Sequence, residues 1–188
     1  GMMFNKRRQS QDRILRADLK EFIKDSLKYI ILIVVVLVII VYVVSIQQVL
    51  GPSMQPNLKA NDVVLIDKLK YRFTDIKRFE VVVLEYKDSK YLIKRVIGLP
   101  GDTIEYKSNI LYINGNAINE DFLKSDVITN DFSLKDIGYT TIPDNMYLVL
   151  GDNRTNSMDG RDFGLIDKSQ IKGKVFIRIW PLTKIKLF

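Results

Sequence analysis

The stretch Tyr29–Ile46, YIILIVVVLVIIVYVVSI, decides how the rest of the chain is organised. It is an uncharged run of 18 residues made almost wholly of Ile, Val and Leu. Because a helix of roughly 20 apolar residues crosses the hydrocarbon layer of a bilayer, this run predicts a transmembrane anchor. The chain is then expected to divide into a basic amphipathic tail (1–28), the anchor (29–46) and a further domain (47–188).

The charges that flank this run predict its orientation. Residues 1–28 carry eight Lys/Arg against four Asp/Glu, and charge is sparse just after the run. By the positive-inside rule, the N-terminus lies in the cytoplasm and residues 47–188 lie outside the cytoplasmic membrane, which the chain crosses once. The alternative is a signal peptide cleaved near Val43-Val44-Ser45. The apolar run exceeds the usual signal-peptide core of about 7–15 residues, which favours an uncleaved anchor.

Apolar residues recur at helical spacing just before the anchor. Between Ile14 and Ile30 they are three or four residues apart, with Lys20, Lys24 and Lys28 between them. This pattern predicts a basic amphipathic helix. It either extends the membrane helix or docks on anionic lipid at the cytoplasmic surface, and we favour the first interpretation.

Beyond Asn61 the pattern changes to short β-branched runs separated by turn residues, which are typical of strands. Asn114-Gly115 and Lys87–Lys90 predict hairpin turns. The predicted fold class is mainly β: a single N-terminal transmembrane helix and a β-rich domain, with a less regular excursion at 116–143. The predicted strands are Val63–Ile66, Glu80–Tyr86, Tyr91–Ile97, Thr103–Tyr106, Ile110–Ile113, Tyr147–Leu150 and Lys174–Trp180.

The composition excludes several kinds of chemistry. The chain has no cysteine and no histidine, so thiol nucleophiles, disulfides, His-based triads and Cys- or His-ligated metal sites are excluded. The base of a hydrolase would have to be lysine or a carboxylate. We predict no cofactor and no metal. We also predict no nucleic-acid partner, because the net charge of +7 resides largely in residues 1–28 and the signs are interspersed elsewhere.

A serine lies between two prolines shortly after the anchor, in Gly51-Pro52-Ser53-Met54-Gln55-Pro56. The prolines restrict the backbone on both sides of Ser53, and Gly51 leaves room for close approach. The segment therefore presents a hydroxyl from a rigid turn. A serine in such a loop is usually only a turn residue, so a nucleophile here needs a partner.

Lys94 is a candidate partner, in Tyr91-Leu92-Ile93-Lys94-Arg95-Val96-Ile97. Strand alternation places Lys94 on the same face as Leu92 and Val96. An exposed lysine has a pKa near ~10.4, but burial can lower it by up to about 3–5 units and make the amine a base. The alternative is a lysine that extends from a strand edge into water.

A loop rich in turn formers, acids and arginines spans 151–164 and follows a predicted strand. This composition favours a loop braced by ion pairs and hydrogen bonds. A calcium loop is the alternative, but the acidic spacing does not match an EF-hand and the two arginines oppose a cation.

The anchor, together with GPSMQP (51–56), YLIKRVIGLPGD (91–102) and GDNRTNSMDGR (151–161), resembles bacterial type I signal peptidase in its Gram-positive-like form. The resemblance implies a membrane-anchored serine endopeptidase that removes signal peptides from exported preproteins through an acyl-enzyme. It implies that Ser53 is the nucleophile, that Lys94 is the general base of a Ser–Lys dyad, and that Ser157 orients the lysine. Substrates would carry small residues, typically alanine, at the first and third positions before the cut and would bind as an added strand.

The same resemblance implies roles for the loop. Asp152 would pair with Arg95, and Asp159 and Arg161 would stabilise the loop. The backbone N–H of Ser53 would bind the oxyanion beside Gly51, where some members have a serine.

A second departure from the family is Gly160, where the family usually has a serine. Two rival functions stay open: a peptidase dedicated to a single precursor or to self-cleavage, and a catalytically silent, membrane-anchored peptide-binding protein.

Overall fold

A single long helix, α1 (Met2–Val43), comes first in the computed structural model, which describes residues 1–188. None of its residues is buried, and its length and composition allow it to cross a membrane. The basic segment and the apolar run thus form one continuous helix. The sequence predicted an anchor that ends at Ile46, but the helix ends at Val43 and the chain continues as strand β1 (Val44–Gln48).

Residues Gly1–Tyr42 and Val43–Phe188 form two separate units, and the second is β-rich, as predicted. Every residue that the sequence suggested for chemistry lies in this second unit. The further strands are β2 (Val63–Asp67), β3 (Val81–Tyr86), β4 (Lys90–Gly98), β5 (Ile104–Lys107), β6 (Ile110–Ile113), β7 (Asn116–Ile118), β8 (Phe132–Ser133), β9 (Met146–Leu150), β10 (Ile166–Asp167), β11 (Ile171–Trp180) and β12 (Lys186–Leu187). Two short helices, α2 (Lys70–Phe73) and α3 (Gly160–Phe163), and three 3-10 turns (Leu134–Ile137, Lys168–Gln170 and Leu182–Lys184) complete the unit.

The larger sheet is antiparallel and has the order β1-β2-β11-β3-β4-β9-β10, with β12 paired to β11. Its central strand β3 is apolar on both faces: Val81 and Val83 belong to one buried cluster, and Val82 and Leu84 to another. Because both faces of β3 are buried and closely packed, the central part of the sheet is rigid.

The smaller sheet has the order β7-β6-β5-β8. The predicted excursion at 116–143 contributes β7 and β8, but β5 and β6 belong to the same sheet, which therefore begins at Ile104. Tyr106 and Leu111 of this sheet share a buried cluster with Leu148 and Leu150 of β9. The small sheet is therefore packed against the larger one.

Both predicted hairpins are present. Asn114 and Gly115 have φ of 51° and 83° and connect β6 to β7, and Lys87–Ser89, all with positive φ, connect β3 to β4. The second hairpin sets the register of β4 and so places Lys94 opposite Val82.

Strand β4 changes its environment part-way along its length. From Lys90 to Arg95 it pairs with β3, whereas its pairing with β9 begins only at Arg95. Residues Lys90–Lys94 therefore have an open edge on the side away from β3. This open edge lies beside the candidate base.

Candidate active site

Ser53 lies in a tight turn after β1. The Gln55 N–H donates to the Pro52 carbonyl at 3.1 Å, and the buried Met54 side chain belongs to the core cluster of the larger sheet. Gly51 has a φ of 78°, a left-handed conformation that costs a non-glycine residue free energy. Backbone geometry therefore explains the glycine where some family members have a serine.

The turn is also attached to the loop that follows β9. The Asn153 N–H donates to the Ser53 carbonyl at 2.9 Å, and Asn153 Nδ2 donates to the Pro52 carbonyl at 3.0 Å. A Cβ added to Gly151 would lie 2.5 Å from the Ser53 carbonyl oxygen and would also collide with the Ser157 side chain. Close approach of the two segments therefore requires glycine at this position. The sequence motif contained Asn153 and Gly151 but gave no sign that they lie against Ser53.

Lys94 is buried, with 3% of its surface exposed. Burial lowers the pKa of its amine from 10.5 to about 8, against the opposing effect of the Asp159 carboxylate, which raises it. Leu92 and Val96 share the face of β4 that carries Lys94, and both belong to one apolar cluster. The amine is therefore partly neutral at physiological pH, as a base requires.

Ser157 contacts the lysine directly. Lys94 Nζ donates to Ser157 Oγ at 3.2 Å, and the Ser157 side chain also helps to lower the pKa of the Asp159 carboxylate. Ser157 Oγ therefore accepts a hydrogen bond from an N–H of the amine, which leaves the nitrogen lone pair free.

Ser53, Lys94 and Ser157 line the same groove, which has a volume of about 590 Å³. One wall is the open edge of β4, and another is the segment from the end of β1 to Met54. The structure thus brings together the three residues to which the resemblance assigns nucleophile, base and orienting hydroxyl.

Asp152 and Arg95 form a buried ion pair directly behind Lys94. Arg95 Nε donates to Asp152 Oδ1 at 2.8 Å and Arg95 Nη2 donates to Asp152 Oδ2 at 2.7 Å, and Asp152 has no exposed surface. Such a two-point contact fixes the geometry as well as the charge. The loop 151–164 is thereby held against β4.

Asp159 and Arg161 form a second pair within the loop. Arg161 Nε and Nη2 donate to the two Asp159 carboxylate oxygens at 2.9 and 2.8 Å, and the Gly151 N–H donates to Oδ2 at 2.9 Å. Burial alone would raise the pKa of Asp159, but the bonds and charge of Arg161 lower it below its usual range. Two of the carboxylates that a calcium loop would need, Asp152 and Asp159, are therefore engaged by arginines.

Gly160 begins helix α3 and lies against β9. A Cβ at this position would come within 2.7 Å of Leu148 Cδ1 and 2.8 Å of the Val149 carbonyl oxygen. The serine that is usual in the family does not fit here unless the strand moves.

The comparison with known families identifies the group to which this arrangement belongs. Residues 19–180 match the family described as signal peptidase, peptidase S26. The chain belongs to this family. The assignment rests on most of the chain rather than on the motifs alone.

Individual relatives agree with the family assignment. The chain is 39% identical to signal peptidase IB of Staphylococcus aureus strain Mu50 over 179 residues, or 89% of this chain and 94% of the relative. It is 40% identical to signal peptidase I of Bacillus caldolyticus over 142 residues, or 71% of this chain and 78% of the relative. A crystal structure of signal peptidase I from Enterococcus faecalis V583 aligns with a TM-score of 0.50 at 34% identity, covering 54% of this chain and 97% of that one.

The chain is therefore a serine peptidase of the type I signal peptidase class, as the resemblance predicted. Its activity is the removal of signal peptides from preproteins, and its N-terminal helix is consistent with membrane anchoring.

Proposed function

We propose that the chain cleaves signal peptides with a Ser53–Lys94 dyad through an acyl-enzyme. The observation that carries this proposal is the Lys94 amine, which is buried, has a lowered pKa, hydrogen-bonds to Ser157 and lines the same groove as Ser53. A lysine of this kind can deprotonate a hydroxyl at neutral pH, whereas an exposed lysine cannot.

The reaction proceeds in two halves. Ser53 Oγ attacks the scissile carbonyl carbon while Lys94 Nζ takes the hydroxyl proton, and the tetrahedral intermediate collapses when Lys94 returns that proton to the departing amine of the mature protein. This leaves the signal peptide esterified to Ser53. A water molecule then attacks the ester as Lys94 accepts its proton, and Ser53 recovers its hydrogen as the signal peptide leaves with a new carboxylate.

The Ser53 backbone N–H is the donor we assign to the oxyanion. It makes no hydrogen bond within the protein, so it is available to a developing negative charge. Gly51 lies close by and contributes no side-chain hydroxyl, so this site depends on backbone donors.

The open edge of β4 is the substrate-binding edge in this proposal. Residues Lys90–Lys94 have unpaired backbone groups on the groove side, which an extended peptide can satisfy as an added strand. Backbone pairing explains how one groove accepts preproteins of different sequence.

The bilayer is the second partner that we propose, and an apolar row on the larger sheet supports it. Cross-strand pairing places Ile46, Leu65, Ile177 and Leu187 in line across four adjacent strands. Ile46 and Leu187, at the two ends of the row, are 68% and 74% exposed. An apolar row that is half-buried at Leu65 and Ile177 and exposed at both ends is suited to the interfacial region of a membrane. We place the β-rich unit on the outer face of the cytoplasmic membrane, because the basic residues precede the anchor.

Cleavage of a preprotein with an Ala-x-Ala site by the detergent-solubilised full chain tests the proposal. We expect Ser53→Ala and Lys94→Ala to abolish cleavage, whereas the surface substitutions Ser169→Ala and Lys107→Ala leave it unchanged. Cleavage that survives either dyad substitution would refute the dyad. Binding of the preprotein without any cleavage by the wild type would favour a peptide-binding protein.

A further inference from the structure

The segment between β7 and β8 belongs to the small sheet but contacts the loop 151–164. Arg154 of the loop is 4% exposed, and its guanidinium donates to Glu120, Thr129 and the Tyr106 hydroxyl. The Tyr106 hydroxyl donates in turn to Glu120 at 2.9 Å. The loop is thus held to the small sheet by a buried arginine, each of whose three nitrogens donates a hydrogen bond.

Phe122 in the same segment covers the ion pair behind the candidate base. Its ring centroid lies 4.0 Å from the Arg95 guanidinium carbon, a cation–π distance, and its ring packs against Phe79 at 5.0 Å. Arg95 Nη1 donates to the Phe79 carbonyl at 2.8 Å. With Asp152 on one side and the Phe122 ring on its face, Arg95 is held in one orientation, and Arg95 adjoins Lys94 in β4.

Asn57 connects this cluster to the segment that bears the nucleophile. Its Nδ2 group donates to Asp152 Oδ2 and to the Phe122 carbonyl, both at 2.8 Å, so both amide hydrogens are used. The Asn57 carbonyl accepts from Arg178 Nη1 of β11 at 2.7 Å. Asn57 is four residues from Ser53, so the nucleophile segment and the base strand meet at a single carboxylate.

We propose that Asn57 and Phe122 are positioning residues that fix the placement of Ser53 relative to Lys94 through Asp152. The proposal rests on the Ser53–Lys94 dyad proposed above. Asp152 Oδ2 receives one hydrogen bond from the base strand, through Arg95, and one from the nucleophile segment, through Asn57. Loss of the Asn57 bond, or of the Phe122 ring that holds Arg95, weakens the coupling of the two segments and leaves it to the Asn153 bonds to Ser53 and Pro52; a displacement of about 1 Å can cost roughly 100-fold in rate.

Steady-state cleavage by the full chain in detergent tests this role. We expect Phe122→Leu and Asn57→Ala each to lower kcat by about 10- to 100-fold with KM within about twofold of wild type, because the groove that binds substrate is untouched. Phe132→Leu is the matched control: it makes the same change at a buried phenylalanine of the small-sheet core, whereas the ring that lies over the Arg95 guanidinium is that of Phe122. Phe132→Leu should lower the melting temperature but leave kcat unchanged when cleavage is measured well below that temperature.

The double variant separates positioning from general loosening of the fold. Because both residues act through Asp152, Asn57→Ala and Phe122→Leu together should lower kcat by less than the product of their separate effects. Effects on kcat that multiply independently, or a Phe122→Leu enzyme that turns over like Phe132→Leu, would overturn the positioning role. If Phe122→Leu does not fold, Asn57→Ala alone decides, and an unchanged kcat in it overturns the proposal.

The same experiment distinguishes the positioning role from the Ser53–Lys94 dyad on which it rests. Cleavage that persists in Ser53→Ala or Lys94→Ala would refute the dyad itself. Cleavage that requires both dyad residues but is unaffected by Phe122→Leu and Asn57→Ala would refute only the positioning role of Phe122 and Asn57.

Discussion

Lys94 Nζ donates a hydrogen bond to Ser157 Oγ across 3.2 Å, and the Ser157 side chain also helps to lower the pKa of Asp159. This relationship orients the amine, whereas burial is the main cause of its lowered pKa. Orientation and pKa therefore have different structural origins and can be separated by experiment.

We expect Ser157→Ala to lower kcat by roughly 10- to 100-fold, because the amine loses the acceptor that aligns its lone pair. The pH dependence of the residual activity should keep its acid limb, since burial is retained. Rate profiles from pH 5 to 10, with Ser169→Ala as the control, check this. A limb displaced by two or more pH units would assign the pKa shift to Ser157 instead.

The pH dependence of the wild-type enzyme follows from the pKa of Lys94, which is about 8. Only the neutral amine accepts a proton, so kcat/KM should be low below this value and rise with pH through it. Measurement of kcat/KM across the same range checks the midpoint. A plateau already reached at pH 6, or a rise that begins only above pH 10, would contradict a base with this pKa.

Burial of Lys94 should also cost stability. Its pKa falls from 10.5 in the unfolded chain to about 8 in the fold, so the unfolded state binds more protons between these values and stability should increase with pH across that window. The charged amine costs on the order of 3 kcal/mol below pH 8. Lys94→Met should therefore be inactive yet more stable than wild type at pH 7, with the gain gone near pH 11. Thermal melts at both pH values check this, and a variant less stable at pH 7 would contradict it.

The buried Arg95–Asp152 pair should be sensitive to loss of one partner. Arg95→Leu leaves a carboxylate with no exposed surface unpaired by its arginine, and we expect a loss of about 3–5 kcal/mol in the free energy of unfolding. Lys172→Leu is the control, because it breaks the exposed Lys172–Glu85 pair and should cost at most about 1 kcal/mol. Equal losses in urea titrations of the two variants would contradict the importance of burial.

The sequence was sufficient to predict the mainly β fold and the hairpin that sets the register of β4. Both depend on local signals: β-branched runs and turn residues. The apolar pattern extends the predicted anchor to Ile46, whereas the helix ends at Val43, because Val44 and Ile46 are as apolar in a strand as in a membrane helix. Only their pairing with β2 distinguishes the two.

The network around Asp152 could not be predicted from the sequence. Asn57 and Phe122 are 65 residues apart, and neither lies in a periodic pattern or a recognisable motif. The small sheet packs against the loop 151–164 through contacts between residues far apart in the chain, for which a single sequence carries no local signal. The pairing of Arg95 with Asp152, by contrast, is predicted by the family resemblance.

Gly160 provides a test of the departure from the family pattern. Since a Cβ would meet Leu148 and the Val149 carbonyl, Gly160→Ala and Gly160→Ser should destabilise the fold alike, by roughly 1–3 kcal/mol. Both should also lower kcat, because a shift of the backbone at Gly160 displaces the preceding residue, Asp159, which holds the loop together. Melting temperatures and kcat of the two variants check this. A Gly160→Ser enzyme as stable as wild type would show that β9 accommodates the side chain.

The apolar row on the larger sheet predicts a difference between substrates. Replacing Ile46 and Leu187, its two exposed ends, by glutamate should weaken interfacial contact and repel anionic headgroups. In vesicles with anionic lipid, we expect roughly tenfold slower processing of a membrane-embedded preprotein but unchanged cleavage of a soluble peptide. Ile110→Glu, at an exposed apolar position of the small sheet, is the matched control and should change neither rate. Because the peptide reaction needs no bilayer, an equal loss for both substrates would locate the defect in the groove and refute a role for the row in lipid contact.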